Sequence, residues 1–325
     1  KRQGPLGALV AELTDAAPTR RPTAVDAVTR LRDAIDTPRR RRRNMIVTAA
    51  LVAAAAGATK YTLDLRAANI EARIGWGEAD DLIRFQIGDL YERLEPLGRT
   101  GILLEAGRRA VEYFDRRGAL DPVQRVQSAR AHYYLGRVEF DLGSLGRAEA
   151  ALIEAVELAR SAVGAERALD AQAQHRILEA HLGLILVARD RGELTNADSE
   201  IDAALAACDA LAASDPGSNV ALAGRALALS RRAELCTLRG DLAGAADVAR
   251  EALDWAERSD RATIDPDWLL EGEGWAHFYA GYAALDASRL DEAETHFLAY
   301  QRVATELHDA APNDRRYLLE VASTY

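Results

Sequence analysis

"YYLGRVEFDLGSLGRAEAALIEAVELA", residues 133–159, places a turn residue, Gly143, five positions before a small residue, Ala148. The same spacing occurs in three later segments, residues 182–208, 231–256 and 279–304. The four turn residues are Gly143, Gly192, Gly240 and Ser288, and their small partners are Ala148, Ala197, Ala245 and Ala293. Both series advance by 49, 48 and 48 residues, and prolines at positions 122, 216, 266 and 312 fall at the joins. The chain therefore contains an internal repeat with a period of about 48 residues.

Each repeat predicts a hairpin of two α-helices. The chain is rich in alanine and leucine, with only 9 prolines and 6% aromatic residues, and this composition favours helix. A glycine at the turn ends the first helix with φ > 0, and the alanine lets the second helix approach closely. Because no single hairpin can bury its apolar face, we expect the hairpins to stack into an all-α solenoid.

Two further packing positions follow the small residue of each second helix. They are Leu152, Ile201, Ala249 and Phe297, and then Ala155, Ala204, Ala252 and Tyr300. This pattern resembles the tetratricopeptide repeat (TPR), whose first-helix glycine is matched by Gly136 and Gly281, whereas Ile185 and Ala233 depart from it. The family's usual period is about 34 residues, so the helices or joins of this chain are expected to be longer. The resemblance implies TPR-like repeats over residues 120–325, with four units and the start of a fifth.

The resemblance also implies a binding surface. In the TPR family the first helices line a concave face that takes protein or peptide ligands. Carried over residue by residue, the inner positions of this sequence are Arg130, Tyr133, Arg137, Glu179, Arg189, Trp275, Phe278 and Tyr282. The two arginines beside Tyr133 suit a carboxylate held bidentately, and the aromatic residues suit apolar side chains. The alternative is that these aromatic rings pack against the long helices.

No pattern in the sequence predicts catalysis, a cofactor or a metal site. There is no H-E-x-x-H, C-x-x-C or Ser/His/Asp spacing, and two cysteines are too few for a disulfide framework. His132, His181 and His277 recur at one position in three units, but equivalent positions of a solenoid lie a repeat apart, too far to share one ion. After residue 43 the chain holds 46 acidic against 30 basic residues, which argues against nucleic acid as a partner. We therefore predict a non-enzymatic region.

Five consecutive arginines, residues 39–43, precede an uncharged run, residues 44–59. Arginines in this position keep their end of a membrane helix in the cytoplasm, and 19 residues from Met45 to Leu63 approach the roughly 20 that a bilayer requires. This predicts a basic juxtamembrane segment, 38–44, and a single transmembrane helix, 45–63, in the inner (cytoplasmic) membrane, with the N-terminus cytoplasmic and the repeats extracytoplasmic. The alternatives are an alanine-rich helix outside the membrane and the apolar region of a secretory signal.

Residues 6–35 predict two short helices around a proline-bounded turn, with Thr23 as the N-cap of the second. The turn, "LTDAAPTRRPTA" at residues 13–24, resembles the end of the protein kinase catalytic domain, where the last helices flank the pattern L-x-x-D-P-x-x-R-P-T-A. Arg21 matches the arginine that in this family pairs with a glutamate of the activation segment, and Ala17 stands where the family has aspartate. Neither H-R-D nor D-F-G occurs, so this sequence cannot transfer phosphate. The resemblance places ATP and magnesium only in a kinase domain outside this sequence.

The resemblances together divide the chain into five parts. Residues 1–37 are expected to be a remnant of the kinase C-lobe, followed by the basic segment and the membrane helix, and residues 64–119 a helical linker. Within the linker, residues 87–114 resemble the segment that joins the membrane helix to the repeats in bacterial serine/threonine kinase–TPR fusions. We expect the chain to be a piece cut at both ends from such a protein.

The leading hypothesis for function is a non-catalytic protein-binding scaffold or sensor region of a membrane-anchored serine/threonine protein kinase. One alternative is the TPR region of a membrane-anchored transcription regulator with a winged-helix DNA-binding domain. Another is a soluble TPR adaptor in which residues 45–59 are only a helix. H-R-D and D-F-G upstream would indicate the kinase, and a basic recognition helix would indicate the regulator.

Overall fold

The computed structural model describes residues 4–33, 60, 100–164, 166–312 and 314–323. The chain divides into two compact units, residues 1–78 and 79–325. The regular elements of the described residues are all helices, with no strand among them. The predicted all-α class is thus confirmed for this part of the chain.

The first unit contains two short helices joined by a proline-bounded turn, as the sequence predicts. Helix α1 spans Pro5–Leu13, and helix α2 covers residues 24–33. Thr23 Oγ1 accepts the backbone N–H of Asp26 at 3.3 Å, which is the N-cap interaction expected for α2. Within the turn, Arg21 Nε donates to the backbone carbonyl of Asp15 at 2.8 Å.

The second unit is an array of helical hairpins. Helix α3 (Thr100–Asp115) packs against α4 (Pro122–Asp141). The elements that follow are α5 (Leu145–Arg160), α6 (Arg167–Asp190), α7 (Leu194–Ser214), α8 (Asn219–Leu238), α9 (Leu242–Arg258), α10 (Pro266–Leu269), a π-helical turn (Leu270–Gly274), α11 (Trp275–Asp286), α12 (Leu290–Ala310) and α13 (Arg315–Ser323). The hairpins are α4–α5, α6–α7, α8–α9 and α11–α12. Helices α6, α7 and α12 have 24, 21 and 21 residues, which accounts for the long period.

Each hairpin turns at the residue that the repeat singled out. Gly143, Gly192 and Gly240 have φ values of 72°, 75° and 78°, and Ser288 has 59°. In the first hairpin the N–H of Gly143 donates to the carbonyl of Phe140 and the N–H of Ser144 to that of Glu139, both at 2.8 Å. The same pair of bonds closes the other three turns. These are Schellman motifs, in which a residue with positive φ lets the last carbonyls of a helix find donors.

The partner alanines lie where the two helices of each hairpin meet. Ala148, Ala197 and Ala245 are fully buried, and Ala293 is 3% exposed. Next to them, Leu152 of α5 is fully buried against Gly136 of α4 and Gly183 of α6. The hairpin contact predicted from the TPR resemblance is therefore present, and the unit is an array of stacked helical hairpins.

The first helix of each hairpin contacts the first helix of the next. Helix α4 packs against α6, α6 against α8, and α8 against α11. The second helices α5, α7 and α9 instead pack against the first helix that follows each of them. We call the side formed by α4, α6, α8 and α11 the inner face.

The predicted location in the inner membrane is wrong for the part of the chain described here. Among the described residues no helix is both long and apolar enough to cross a bilayer. Helix α6, the longest at 24 residues, carries charged side chains along its length. The predicted span 45–63 and its basic flank 38–44 lie outside the described residues except for Lys60. Seven of the 15 residues from Met45 to Thr59 are alanine, which adds little to membrane insertion.

The predicted helical linker is described only in part. Residues 64–99 lie outside the described residues, and Thr100–Asp115 is helix α3.

Candidate functional site

The segment just before the fourth hairpin, formed by α10 and a π-helical turn, packs against α8 of the inner face. Pro266 begins α10, where its missing N–H costs nothing, and Asp265 caps the helix by accepting the N–H of Asp267 at 2.8 Å. The π-helical turn Leu270–Gly274 then separates α10 from α11. π-Helical turns inside helices often occur at functional sites. Here the turn approaches α8 closely, since a Cβ on Gly272 would lie 3.3 Å from the backbone nitrogen of Leu227.

A cavity of about 470 Å³, which we call the inner pocket, lies between α4, α6, α10, α12 and α13. It is lined by Tyr133, Tyr134, Arg137, Glu179, Asp265, Pro266, Asp267, Trp268, Leu307, Ala310, Ala311, Asp314, Arg316 and Tyr317. Its volume falls in the range of about 300–1,000 Å³ that is typical of ligand pockets. Residues of the first hairpin and of α13 therefore border the same space although they are far apart in the sequence.

Two side chains of α13 hold the wall of the inner pocket in place. Arg316 pairs with Asp267 and with Asp314, each at 2.7 Å. The hydroxyl of Tyr317 donates to the second carboxylate oxygen of Asp267, also at 2.7 Å. Burial, then the carboxylate of Asp267, raises the pKa of Tyr317, so this hydroxyl keeps its proton. Both oxygens of Asp267 are thus engaged.

A second cavity of about 290 Å³ adjoins the inner pocket and shares Arg137, Asp267, Arg316 and Tyr317 with it. Its floor contains Arg231, which pairs with Glu234 at 3.0 Å and with Glu271 at 2.7 Å. Burial lowers the pKa of Arg231, but the two carboxylates outweigh that effect and raise it, so the side chain is charged. A buried cation between two anions fixes the π-helical turn against α8.

Five of the eight inner positions predicted from the sequence line these cavities. Tyr133, Arg137 and Glu179 line the inner pocket, and Arg137, Arg189 and Trp275 line the second cavity. The hydroxyl of Tyr133 accepts a hydrogen bond from Arg137 Nη1 at 3.1 Å. Arg189 is paired with Glu234 at 3.1 Å.

The other three predicted positions lie outside both cavities. Arg130 Nη2 donates to the hydroxyl of Tyr134 at 3.4 Å, and its guanidinium lies 5.4 Å from that ring. Arg137 lines both of these cavities and Arg130 lines neither, so the two arginines do not meet in either one. Phe278 packs edge to face on Tyr300 at 5.7 Å, inside the interface of α11 and α12. Tyr282 is 44% exposed and stacks on Phe278 at 6.5 Å.

The three recurring histidines have separate hydrogen-bond partners. His132 Nδ1 is 2.9 Å from the carbonyl of Ser128, and His181 Nδ1 is 2.6 Å from Glu200. His277 faces His296 with their Nδ1 atoms 3.0 Å apart. Within the described residues no group of three or more metal-ligating side chains could hold an ion.

Carboxylates outnumber cations among the side chains that line the inner pocket. Four are acidic, Glu179, Asp265, Asp267 and Asp314, and two are basic, Arg137 and Arg316. Glu179 pairs with Arg176 at 2.5 Å, and Asp267 and Asp314 share Arg316. Asp265 forms no ion pair with any described residue. Burial, then the neighbouring carboxylate of Asp267, raises the pKa of Asp265, and these effects outweigh its backbone hydrogen bonds and the charge of Arg137, which lower it.

Sequence reasoning missed the residues contributed by α10 and α13. Asp265 followed by Pro266 is a helix-start signal and could have placed a cap there. Nothing local indicates that Trp268 lies against His175 of α6, with ring centroids 6.0 Å apart. The approach of Arg316 to Asp267, 49 positions earlier, is a tertiary contact of the same kind.

Comparison with known proteins yields similarity only at the level of solved structures. No protein-family model matches the chain, and no curated protein matches it. The chain is similar to the crystal structure of BtubC (BKLC) from P. vanneervenii, with 14% identity, 64% of this chain and 92% of that chain covered, and a TM-score of 0.40. It is also similar to a thermophilic TPR protein of Thermus thermophilus, TTC0263, with 20% identity, 74% and 98% covered, and a TM-score of 0.38. The hairpin architecture of this chain rests on its own helices and turns.

Proposed function

We propose that residues 100–323 form a protein-binding scaffold whose inner face holds a peptide segment of a partner. The observation that carries the proposal is the inner pocket, because it brings Tyr133, Arg137 and Glu179, three positions expected from the sequence, around a space of about 470 Å³. Stacked hairpins present their first helices along a continuous surface, which suits an extended chain.

The lining of the inner pocket supports a peptide as the ligand. Leu307, Ala310 and Ala311 contribute apolar surface to the lining, and carboxylates and tyrosines contribute polar groups. Ligand pockets combine apolar contact area with a few polar groups that fix orientation. A peptide has both kinds of group, and the adjoining second cavity gives it room to continue toward Trp275.

A substitution that fills the inner pocket tests whether a peptide binds there. Ala310 is an exposed residue of α12 that lines the inner pocket, so Ala310→Trp places an indole in it without disturbing the core. Ala206 is an exposed alanine of α7 that does not line it, and Ala206→Trp is the matched control. Peptides selected on the wild-type chain from a displayed library of random nonapeptides should bind the control and lose binding to Ala310→Trp. Failure to select any peptide, or equal binding by both variants, would overturn the proposal.

The proposal extends to a serine/threonine protein kinase as the protein that carries this scaffold. It is supported by residues 13–24, where the proline-bounded turn and Thr23 cap join two helices in the order that the kinase resemblance implies. The reading frame before Lys1 tests it. H-R-D and D-F-G there would agree with the proposal, and a winged-helix sequence there would refute it.

A further inference from the structure

The inner pocket contains one carboxylate, that of Asp265, which forms no ion pair with any described residue and feels only the through-space attraction of Arg137. Asp265 is the N-cap of α10, and its carboxylate accepts hydrogen bonds only from backbone N–H groups of the turn that follows it. The neighbouring Asp267 is occupied by Arg316 and Tyr317. A ligand that brings a positive charge to Asp265 would therefore relieve repulsion between two carboxylates as well as form a new ion pair.

The walls around Asp265 suit a cation on an aliphatic stem rather than a bare ion. Tyr133, Trp268 and Tyr317 contribute aromatic rings to the lining, and the Tyr317 ring already has the guanidinium of Arg316 over it, 5.6 Å from its centroid. Guanidinium and ammonium groups bind favourably beside such rings. Leu307, Ala310 and Ala311 supply an apolar surface for methylene groups. The space of about 470 Å³ is far larger than one metal ion needs.

We infer that the inner pocket binds a lysine or arginine side chain of the partner peptide, with its charged end at Asp265 and its stem against Leu307 and Ala310. The inference rests on the proposed function and names its ligand. It differs from the carboxylate ligand that Arg130 and Arg137 suggested in the sequence, because Arg130 lines neither the inner pocket nor the second cavity.

The first experiment selects nonapeptides from a random displayed library on the purified full chain. Lysine and arginine should be enriched at one position of the recovered peptides, and binding should weaken as salt is raised. Enrichment of aspartate or glutamate, or no preference for charge, would overturn the inference while leaving the proposed function in place, provided that Ala310→Trp abolishes binding. Recovery of no peptide would overturn both.

The second experiment removes the charge of Asp265 and keeps its cap. Asparagine caps helices as well as aspartate does, so Asp265→Asn should fold and melt as the wild type does. The control is Asp241→Asn, since Asp241 caps α9 in the same way by accepting the N–H of Gly244 at 2.9 Å and does not line the pocket. We expect Asp265→Asn to weaken the selected basic peptide about tenfold, the loss typical of a charged hydrogen bond, and Asp241→Asn to leave its affinity unchanged.

A substitution in the peptide completes a double-mutant cycle with Asp265→Asn. Replacement of its basic residue by norleucine should weaken binding to the wild-type chain about tenfold and to Asp265→Asn by much less. Equal losses in both chains, or unchanged affinity in Asp265→Asn, would show that the basic side chain does not meet Asp265 and would overturn the inference.

Discussion

Gly136 and Leu152 are so close that a Cβ on Gly136 would lie 2.7 Å from Leu152 Cγ. On its other side Leu152 meets Gly183, where a Cβ would lie 3.0 Å from it. The leucine thus fills a space between α4 and α6 that two glycines leave open. Because Leu152 is fully buried and enclosed by both helices, it has little freedom to move aside.

Gly136→Ala is therefore expected to destabilise the fold by about 1–3 kcal/mol, the usual cost of overpacking, even though alanine favours helix. Urea unfolding measures the change. Gly146→Ala is the control, since a Cβ there meets only the end of Arg191 at 3.9 Å, and it should be neutral or gain up to about 1 kcal/mol. Equal behaviour of the two variants would mean that the close approach has no energetic consequence.

Ser288 adopts φ = 59° at the position where the other three hairpins have glycine. A left-handed conformation costs a residue with a Cβ roughly 1 kcal/mol more than glycine. Ser288→Gly should thus raise the free energy of unfolding by up to about 1 kcal/mol, because the Schellman bonds of Ser288 and Arg289 are backbone bonds that glycine retains. In the reverse change, Gly240→Ser should destabilise by a similar amount. A lower free energy of unfolding for Ser288→Gly would show that the left-handed conformation does not strain Ser288.

The repeat predicted the turns and the hairpins because both depend on residues close together in the sequence. Gly143 needs only its own φ and the carbonyls of the preceding turn, and Ala148 needs only the helix that it faces. The inner pocket depends on other relationships. The π-helical turn Leu270–Gly274 lies between α10 and α11, and Arg316 meets Asp267 only through the packing of residues 49 positions apart.

The same limit applies to where the predicted groove residues lie. The TPR resemblance assigned positions to the inner side of the first helices, and Tyr133, Arg137 and Glu179 indeed border a cavity. The resemblance could not indicate that Phe278 packs on Tyr300, because this contact depends on which aromatic residues α11 and α12 carry. Whether the groove binds a partner stays a prediction.

The ion pair between Glu271 and Arg231 should stabilise the fold only above a limiting pH. Burial raises the pKa of Glu271, but the charges of Arg231 and Arg137 outweigh it, and the pKa is lowered. A carboxyl with a lowered pKa contributes stability that is complete above its unfolded value, about 4.5, and is lost as the pH falls through the folded value.

Glu271→Gln should therefore cost about 1–3 kcal/mol at pH 7, and the difference from the wild type should shrink below about pH 4.5. Urea unfolding at several pH values measures it. Glu154→Gln, at an exposed position of α5, should change stability by less than about 0.5 kcal/mol throughout. A difference that is constant with pH would contradict the assigned charge of Glu271.

The histidine pair His277–His296 should make the fold sensitive to mild acid, in a range above that of the carboxylates. Burial, then the neighbouring His296, lowers the pKa of His277 from 6.5 to about 4. Below pH 6.5 the unfolded chain therefore binds a proton at His277 that the folded chain does not bind, and the free energy of unfolding falls progressively until the pH reaches about 4.

His277→Gln removes this titration, so its free energy of unfolding should fall less than that of the wild type between pH 7 and pH 5, by up to about 2 kcal/mol. Chemical unfolding at half-unit steps of pH measures both slopes, and parallel curves would show that His277 titrates in the folded state as it does in the unfolded chain.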